Sequence, residues 1–305
     1  MLVDVVILNW NAPDDTLACL RNLAAWQSVS LRIWVVDNAS SDDSVARIQT
    51  EFPHINFIRS DQNRGFAGGN NLALAAILDS NDSEMVLLLN NDATVAEPEL
   101  RKLLGWLEMR PDLGVLGPAL WNAQFPERLL SAGGRDVVRY VVSHWRDLPA
   151  EPDVRVVDYV PGTCVLIRAA VLRDVGLLDE DYFFAGEVAD LCRRARQAEW
   201  VCAVDTAARA EHHLARSSEI REQLHIYYVL RNRFIFIRKF YAHQRWRWFA
   251  FWTGYGLYVA LSALVHRQWR RARAIVLGVW DGLRGHYGGQ NARILGRARI
   301  LESGR

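Results

Sequence analysis

Amide and carboxylate side chains directly follow three apolar segments in the first third of the chain. Such segments are typical of strands in a parallel sheet, and ligands bind these sheets outside the carboxyl ends of the strands. Turn formation or helix capping explains any one of these residues equally well, but their recurrence at three strand ends favours a binding site. The residues are Asn9 and Asn11 after the first segment, Asp37 and Asn38 after the second, and Asn90, Asn91 and Asp92 after the third.

The elements that would position these residues alternate along the chain. Apolar segments predict strands, and helix-start residues followed by leucines at helical spacing predict helices. The first part predicts strands at 3–8, 31–36, 55–58 and 85–89, and helices from residue 13, at 42–49 and at 67–78. The later part predicts strands within 156–168 and at 200–204, and helices at 169–175, 187–198 and 218–240. This alternation predicts an α/β fold with a mostly parallel central sheet flanked by helices.

Signature motifs of three other enzyme classes are absent from the sequence. No GxGxxG turn follows the first predicted strand, which argues against a dinucleotide-dependent dehydrogenase. There is also no GxxxxGK[ST] phosphate loop and no GxSxG nucleophile elbow. The GxG spacing of Gly254 and Gly256 lies inside an apolar stretch, where helix packing explains it better.

Charge is distributed very unevenly although the net charge is only +1. Residues 231–305 contain 15 Lys and Arg against two acidic residues, so this part carries +13 and residues 1–230 carry −12. A basic surface needs an anionic partner. Because no recognised nucleic-acid-binding motif accompanies the charge, nucleic acid is not the expected partner.

The basic part is also rich in tryptophan, with five of the 12 in the chain. Residues 248–265 contain no charged residue, and basic residues flank them on both sides. Eighteen apolar residues are borderline against the roughly 20 that cross a bilayer, so a helix lying in the interface is favoured over a span. We therefore predict a domain of residues 1–240 and a helical, membrane-associating tail of residues 241–305. A solvated basic face over a buried helix is the alternative.

The cysteines favour neither a disulfide framework nor a zinc site, because they are scattered without a CxxC pair. The N-terminus begins with a strand pattern rather than a secretory signal. The expected location is therefore cytoplasmic, peripheral on the inner face of the cytoplasmic membrane. The four cysteines of the chain are Cys19, Cys164, Cys192 and Cys202.

Seven segments in order over about residues 3–235 resemble the family 2 glycosyltransferases, in particular bacterial rhamnosyltransferase-like members with a GT-A fold. These segments are VVILNWNAPDDT, IWVVDNASSDDS, NRGFAGGNN, VLLLNNDATV, YVPGTCVLIRAAVLRDVGLLDEDYFFAGEVADLC, HHLARSS and YYVLRNR. The resemblance implies a Rossmann-like nucleotide-binding sheet and a nucleotide-sugar donor. The donor-binding residues that it implies are Asn9, Asn11, Asp37, Asn38, Arg64, Gly65, Asn90, Asn91, Asp92, Gly162 and Arg231.

Among these residues, the resemblance gives Asp37 the role of binding the pyrimidine base. Arg64 would contact the nucleotide or its phosphates, and Gly65 would allow close backbone approach. Arg231, together with Arg233, would hold the diphosphate of the donor or a lipid diphosphate on the acceptor, because guanidinium groups match phosphate oxygens. A surface arginine on the long helix is the ordinary alternative for both.

The resemblance further implies a divalent metal, Mg²⁺ or Mn²⁺, held by a DxD-like motif and a later histidine. Asp92 is the expected carboxylate ligand, and Asn90 replaces the first acid of the motif. His212, followed by Ser217, is the expected second ligand, with His213 as a substitute.

The general base of an inverting transfer would come from the segment Gly186-Glu187-Val188-Ala189-Asp190. Glu187 is the assigned base, with Asp190 as the fallback. Val188 stands where the family has an acid, which is the clearest departure from its pattern. Complementing the positive end of a helix is the alternative role for both acids.

Together these features predict an inverting, metal-dependent glycosyltransferase that acts on a lipid-linked or cell-envelope glycan acceptor. Similarity to the subgroup suggests dTDP-rhamnose as the donor. The alternative is a non-catalytic GT-A nucleotide-binding module that lost its general base. The oligomeric state is not predicted.

Overall fold

The structure of the protein, a computed structural model, describes residues 2–80, 82–151, 153–214 and 219–296. The strands are β1 (Leu2–Asn9), β2 (Ser30–Asp37), β3 (Asn56–Arg59), β4 (Met85–Asn90), β5 (Ala93–Val95), β6 (Leu113–Asn122), β7 (Leu129–Ser131), β8 (Val154–Val156), β9 (Cys164–Arg168) and β10 (Val201–His212). The helices are α1 (Pro13–Ala24), α2 (Ser44–Glu51), α3 (Gly65–Ser80), α4 (Glu97–Met109), α5 (Ala169–Val175), α6 (Glu187–Gln197), α7 (Glu219–Phe240), α8 (Arg245–Val265), α9 (Trp269–Arg284) and α10 (Asn291–Leu295).

The central sheet has the strand order β3-β2-β1-β4-β9-β6-β10-β5, with β7 paired to β6 and β8 paired to β10. The first four strands are parallel, as predicted. In the second half, β9 runs antiparallel to both β4 and β6, so the sheet is mixed rather than parallel throughout. A buried strand has the same apolar composition in either direction, which is why the sequence did not indicate this reversal.

The core lies on both faces of the sheet. Alternate side chains of β1 point to opposite faces, so Val3, Val5 and Ile7 pack with α1 and α4 whereas Val6 packs with α3 and α6. Each fully buried valine or isoleucine contributes roughly 1.5–3 kcal/mol of transfer free energy. Because helices cover both faces, the edge formed by the carboxyl ends of the strands is left for a polar ligand.

The tail helices pack directly on α7. Trp252 of α8 is fully buried, and the hydroxyl of Tyr227 on α7 donates to Asp281 of α9 at 2.7 Å. Buried residues of α8 and α9 belong to the same apolar cluster as β1, β4 and α3. The predicted boundary at residue 241 thus lies within continuous packing, and it stays a prediction.

One helix among the described residues, Ala242–Val265, is long and apolar enough to cross a membrane by length and composition. Its most apolar 18-residue window has a mean hydropathy of 1.3 and is 28% buried inside the protein. The helix therefore has a large exposed surface.

Candidate active site

The register of β1 and β2 brings two of the predicted donor-binding residues together. Asn9 pairs with Asp37 across the parallel ladder, and its Nδ2 donates to Oδ1 of Asp37 at 2.9 Å. The backbone N–H of Ser40 donates to Oδ2 at 3.1 Å. Thr16 in turn donates to the side-chain oxygen of Asn9 at 2.7 Å. The fully buried Asp37 carboxylate is therefore held in one orientation.

A cleft of about 520 Å³ opens beside Asp37, at the ends of β2 and β3. Ser40 and Ser60 line it, and both bond Asp37 through their backbone N–H groups. Arg59 adds a positive side chain. The volume is in the range of small-molecule sites, about 300–1,000 Å³. None of these three residues is among those predicted from the sequence, although the strand-end rule applied to β3 finds Arg59 and Ser60.

Asn11 and Asn38 position the loops around this cleft. Asn11 has a φ of 49°, which asparagine tolerates, and its Oδ1 accepts from the N–H of Ser41 at 2.8 Å. Asn38 accepts from the N–H of Arg64 at 2.9 Å and donates to the carbonyl of Gly65 at 3.1 Å. Both asparagines therefore act on loop geometry in this structure.

Gly65 and Arg64 form the turn that begins α3. Gly65 has a φ of 70°, and a Cβ there would lie 2.2 Å from the carbonyl oxygen of Phe183. The glycine is thus required by the close approach of the 183 loop. The half-buried Arg64 has an Nε without a hydrogen-bond partner among the described residues. This unpaired donor is suited to an anionic ligand.

Asp92 and His212 meet because β5 pairs antiparallel with β10. Nε2 of His212 lies 3.1 Å from Oδ1 of Asp92. Burial by itself would raise the pKa of the Asp92 carboxyl. The pKa nevertheless lies below its ordinary value, because the hydrogen bond and charge of His212 and the charge of Arg221 outweigh burial. His213 instead has its ring nitrogen 3.2 Å from the hydroxyl of Thr94. The structure therefore brings His212 to Asp92; Ser217 lies outside the described residues.

This pair fits a divalent cation that also binds a substrate. The described part of the chain contains no group of three or more His, Cys, Asp or Glu placed to hold a metal. Mg²⁺, however, is typically bound by one or two carboxylates together with substrate phosphates and water. Adjacent ligands of an octahedral ion lie about 3 Å apart, which matches the separation of the two atoms. The carboxylate of Asp92, completed by water, suits Mn²⁺ as well.

Asn90 and Asn91, the first two residues of the DxD-like motif, contact protein groups. The N–H of Asn90 donates to the carbonyl of Thr163 at 2.9 Å. The side chain of Asn91 donates to Thr16, which joins it to the hydrogen-bond network of Asn9. The structure thus joins Asn91 to the hydrogen-bond network of Asn9, while Asp92 is the residue of this motif that bonds His212.

Glu187 is the first residue of α6 and follows Gly186, whose φ is 106°. Its side chain is buried, and Oε2 has no hydrogen-bond partner among the described residues. Burial, assisted by the negative charge of Asp190 and opposed by a hydrogen bond from its own backbone N–H, raises the pKa of Glu187 to about 7. A carboxylate with a pKa near the working pH and a free oxygen has the properties of a general base.

Asp190, the fallback base, has quite different surroundings. Its fully buried carboxylate accepts from the hydroxyl of Tyr182 at 3.1 Å and from Nε of Arg194 at 2.6 Å. It also forms an ion pair with Lys239. These contacts occupy the carboxylate and join α6 to α7.

Val188 and Gly162 lie against each other at the start of α6. Val188 is buried, and a Cβ on Gly162 would lie 3.0 Å from its Cγ2. The position where the family has an acid is therefore part of the apolar core here. A larger residue at 162 would have to displace the Val188 side chain, so close packing explains Gly162 without a contact to a donor.

The assignment of Arg231 to the donor diphosphate is corrected by the structure. Arg231 is fully buried and donates to the carbonyls of Asp181, Tyr182 and Gly288. Its guanidinium lies 4.9 Å from the ring centre of Tyr228. Its polar hydrogens are used within the protein, which the sequence could not show because neighbouring carbonyls come from distant segments.

Arg233 is also buried, and it likewise bonds backbone carbonyls. It donates to the carbonyls of Val137 and Val141 and lies 4.1 Å from the ring centre of Trp252. Neither arginine reaches the cleft beside Asp37. Both instead fix α7 to segments around it.

The sequence pattern of glycosyl transferase family 2 matches residues 4–176, more than half of the chain. The chain belongs to this family. Its predicted membership, and with it the enzyme class, are confirmed. The site described above thus belongs to a family 2 glycosyltransferase.

Two relatives match much of the chain. The low-salt glycan biosynthesis hexosyltransferase Agl10 of Haloferax volcanii is 27% identical over 196 residues, covering 64% of this chain and 62% of that protein. The N-acetylglucosaminyl-diphospho-decaprenol L-rhamnosyltransferase of Mycobacterium tuberculosis is 25% identical over 307 residues, covering 92% and 98%. The chain therefore spans a little under two thirds of the first relative and nearly all of the second.

Solved structures share the fold. The mannosyltransferase PcManGT of Pyrobaculum calidifontis, in complex with GDP-Man and Mn²⁺, aligns with a TM-score of 0.58 at 13% identity, over 92% of this chain and 86% of that chain. TarS residues 1–349 of S. aureus align with a TM-score of 0.56 at 17% identity, over 92% and 81%. These similarities confirm the predicted GT-A fold.

Proposed function

We propose that this family 2 protein is an inverting, metal-dependent hexosyltransferase that moves a sugar from a nucleotide-sugar donor to a lipid-linked or cell-envelope glycan. The observation that carries the proposal is Glu187, a buried carboxyl with an unpartnered oxygen and a pKa raised to about 7. A protein that only binds nucleotides gains nothing from such a group, because it costs stability. The group is useful where a proton must be removed.

The donor would occupy the edge of the sheet between the Asp37 cleft and Asp92. The buried carboxylate of Asp37 would hold the Ser40 wall of the cleft against the base rather than contact the base itself. Arg59, which lines the cleft, and Arg64 would contact the phosphates. Asp92 and His212 would hold the divalent cation. When bound, that cation supplies positive charge to the diphosphate as it leaves.

In the transfer step, the acceptor oxygen attacks the anomeric carbon from the face opposite the diphosphate. The new glycosidic bond forms while the bond to the diphosphate oxygen breaks, so the configuration inverts. Glu187 takes the acceptor's hydroxyl proton as the base. The other acid, Asp190, stays paired with Arg194 and Lys239.

The acceptor and the donor sugar are suggested by a relative. The Mycobacterium tuberculosis relative is named as an L-rhamnosyltransferase acting on N-acetylglucosaminyl-diphospho-decaprenol. It matches 92% of this chain, so the match includes most of the tail. This favours a lipid-diphosphate acceptor and rhamnose as the transferred sugar. The dTDP nucleotide and the cytoplasmic face of the membrane are carried over from the sequence predictions.

The alternative is a GT-A module that binds nucleotide without turnover, for which Val188 is the supporting observation. One experiment separates the two. Purified protein with Mn²⁺ is incubated with a panel of nucleotide-sugars and a short-chain N-acetylglucosaminyl-diphospho-polyprenol, and the released nucleoside diphosphate is measured. The proposal expects release with at least one donor, and Glu187→Gln should bind that donor without releasing its diphosphate. Donor binding by the wild-type protein without release would establish the alternative.

A further inference from the structure

Large apolar side chains cover the outer face of α8 and α9, which we define as the tail face. Helical spacing places them on one side of each helix, and they are between 37% and 73% exposed. A helix on the surface of a soluble protein normally presents polar residues on this side. The tail face consists of Trp246, Phe251, Leu257, Tyr258, Leu261, Leu264 and Val265 of α8 and Trp269, Val276 and Trp280 of α9.

The opposite side of α8 is fixed to the body of the protein. Trp252 is fully buried, its indole N–H donates to the carbonyl of Val138 at 3.0 Å, and its ring stacks on Arg233. A Cβ on Gly256 would lie 2.4 Å from Val279 of α9. A transmembrane arrangement of α8 would have to expose these groups to lipid. The helix therefore stays on the protein and offers its outer side alone.

Arginines lie at both ends of the tail face. The contact of Gly256 with Val279 shows that α8 and α9 form an antiparallel hairpin. Arg245 and Arg247 are near its open end, with Arg284, and Arg267 lies at its tip. Asp281, the acidic residue of this hairpin, is fully buried and paired with Arg293. The exposed surface is thus apolar at its centre and positive at its ends.

We propose that the tail face is the docking surface for an anionic phospholipid bilayer, with α8 and α9 lying in the plane of the interface. Tryptophan and tyrosine prefer the headgroup region, and arginines at the ends reach anionic headgroups. A second copy of the chain fits less well, because a symmetric contact would oppose arginine-rich ends of equal charge.

This surface deepens the proposed function, on which its biological role rests, because it is joined to the loop before Glu187. The N–H of Gly288, just after α9, donates to the carbonyl of Asp181 at 2.9 Å. Gly289 lies against the ring of Phe183. A bilayer under the tail face would thus bring a lipid-linked acceptor to the same side of the protein as the base.

The test measures vesicle binding of the full chain by sedimentation, without donor or acceptor, so that its result is independent of turnover. Vesicles of phosphatidylglycerol and phosphatidylcholine should bind the protein, and pure phosphatidylcholine should bind it at least about tenfold more weakly. The double variant Leu261→Glu, Val265→Glu should lose at least about tenfold in partition, and Arg245→Gln, Arg247→Gln roughly 20-fold. The matched control is Val156→Glu, which replaces an exposed valine on β8 and should bind like wild type.

Three results would overturn the proposal. The first is equal binding by the tail-face variant and wild type. The second is resistance of the membrane-bound chain to extraction at high salt and alkaline pH, which would establish a span. The third is a dimer in buffer that Leu261→Glu dissociates, with no binding to anionic vesicles. Nucleoside diphosphate release by unbound protein is recorded in parallel, so a failure of docking is distinguished from a failure of the proposed activity.

Discussion

Glu187 and Asp190 lie one turn apart on α6 and have opposite electrostatic surroundings. Asp190 is neutralised by Arg194 and Lys239, whereas Oε2 of Glu187 has no partner among the described residues. The burial of Glu187 therefore raises its pKa to about 7, while the basic residues are used by its neighbour. Two carboxylates on one helix thus differ in what they can do: Glu187, the proposed base, keeps an unpartnered oxygen, whereas Asp190 is used in packing.

Turnover should rise with pH through about 7, because Glu187 must be ionised to accept a proton. Glu187→Gln should lower kcat by about 10² to 10⁴-fold and remove this pH dependence from the residual rate. Initial rates of nucleoside diphosphate release from pH 5 to 9 measure both effects. An unchanged pH profile in the variant would show that another group is the base.

Glu187→Gln should also stabilise the protein at alkaline pH. The folded-state pKa of about 7 lies above the unfolded value of about 4.3. The folded state holds the proton more tightly, so its stability is highest below pH 4 to 5 and falls as the pH rises through 7. Removing the ionisation should raise the free energy of unfolding at pH 8 by about 4 kcal/mol at most. Urea denaturation at pH 5 and 8 tests this, with the exposed Glu108→Gln as control.

Asp190→Asn should destabilise the protein, because it leaves Arg194 and Lys239 without their buried partner. We expect the free energy of unfolding to fall by about 3 kcal/mol, because breaking a buried ion pair leaves the remaining charge without a partner in a low-dielectric environment. The same change should lower the pKa of Glu187, because the charge of Asp190 contributes to raising it. The midpoint of the pH–rate profile should therefore shift to lower pH. Full stability in this variant would contradict the packing role.

Asp92→Asn and His212→Ala should each weaken Mn²⁺ binding, so that donor binding requires a higher Mn²⁺ concentration. Without one of its two protein ligands, the metal is held mainly by the substrate. We therefore expect the Mn²⁺ concentration required for donor binding to rise at least about tenfold. His213→Ala is the matched control, since the ring of His213 contacts Thr94 instead. Nucleotide affinity measured across a Mn²⁺ titration distinguishes the two variants from this control. Equal effects of the two histidine variants would refute the assignment of His212.

Asn232 should position the loop that leads into Glu187. Its Nδ2 donates to the carbonyls of Tyr182, Phe184 and Ala185. Asn232→Asp replaces this donor with an acceptor, so kcat should fall at least about tenfold while the KM for donor stays the same. Steady-state kinetics separate these quantities. A rise in KM alone would place the residue in donor binding.

Much of this protein could be predicted from local patterns. The helix at 169–175 was predicted with the bounds that α5 has, and four parallel strands were predicted in place. The positions of Asp37 and Asp92 at strand ends could also be predicted, because strand periodicity is local in the sequence; their roles in a site stay predictions.

Only the tertiary structure determines why residues of the same type have different contacts and burial. Register in the β5–β10 pair, a contact between segments more than 100 residues apart, brings His212 rather than His213 to Asp92. Packing of the tail on α7 buries Arg231 among backbone carbonyls, although its sequence context resembles a phosphate-binding site. The different environments of Glu187 and Asp190 likewise depend on Lys239 of another helix. The sequence determines which ionisable groups are present. Residues from distant segments determine how deeply each group is buried and which partners it has, and burial and partners in turn determine its charge and accessibility.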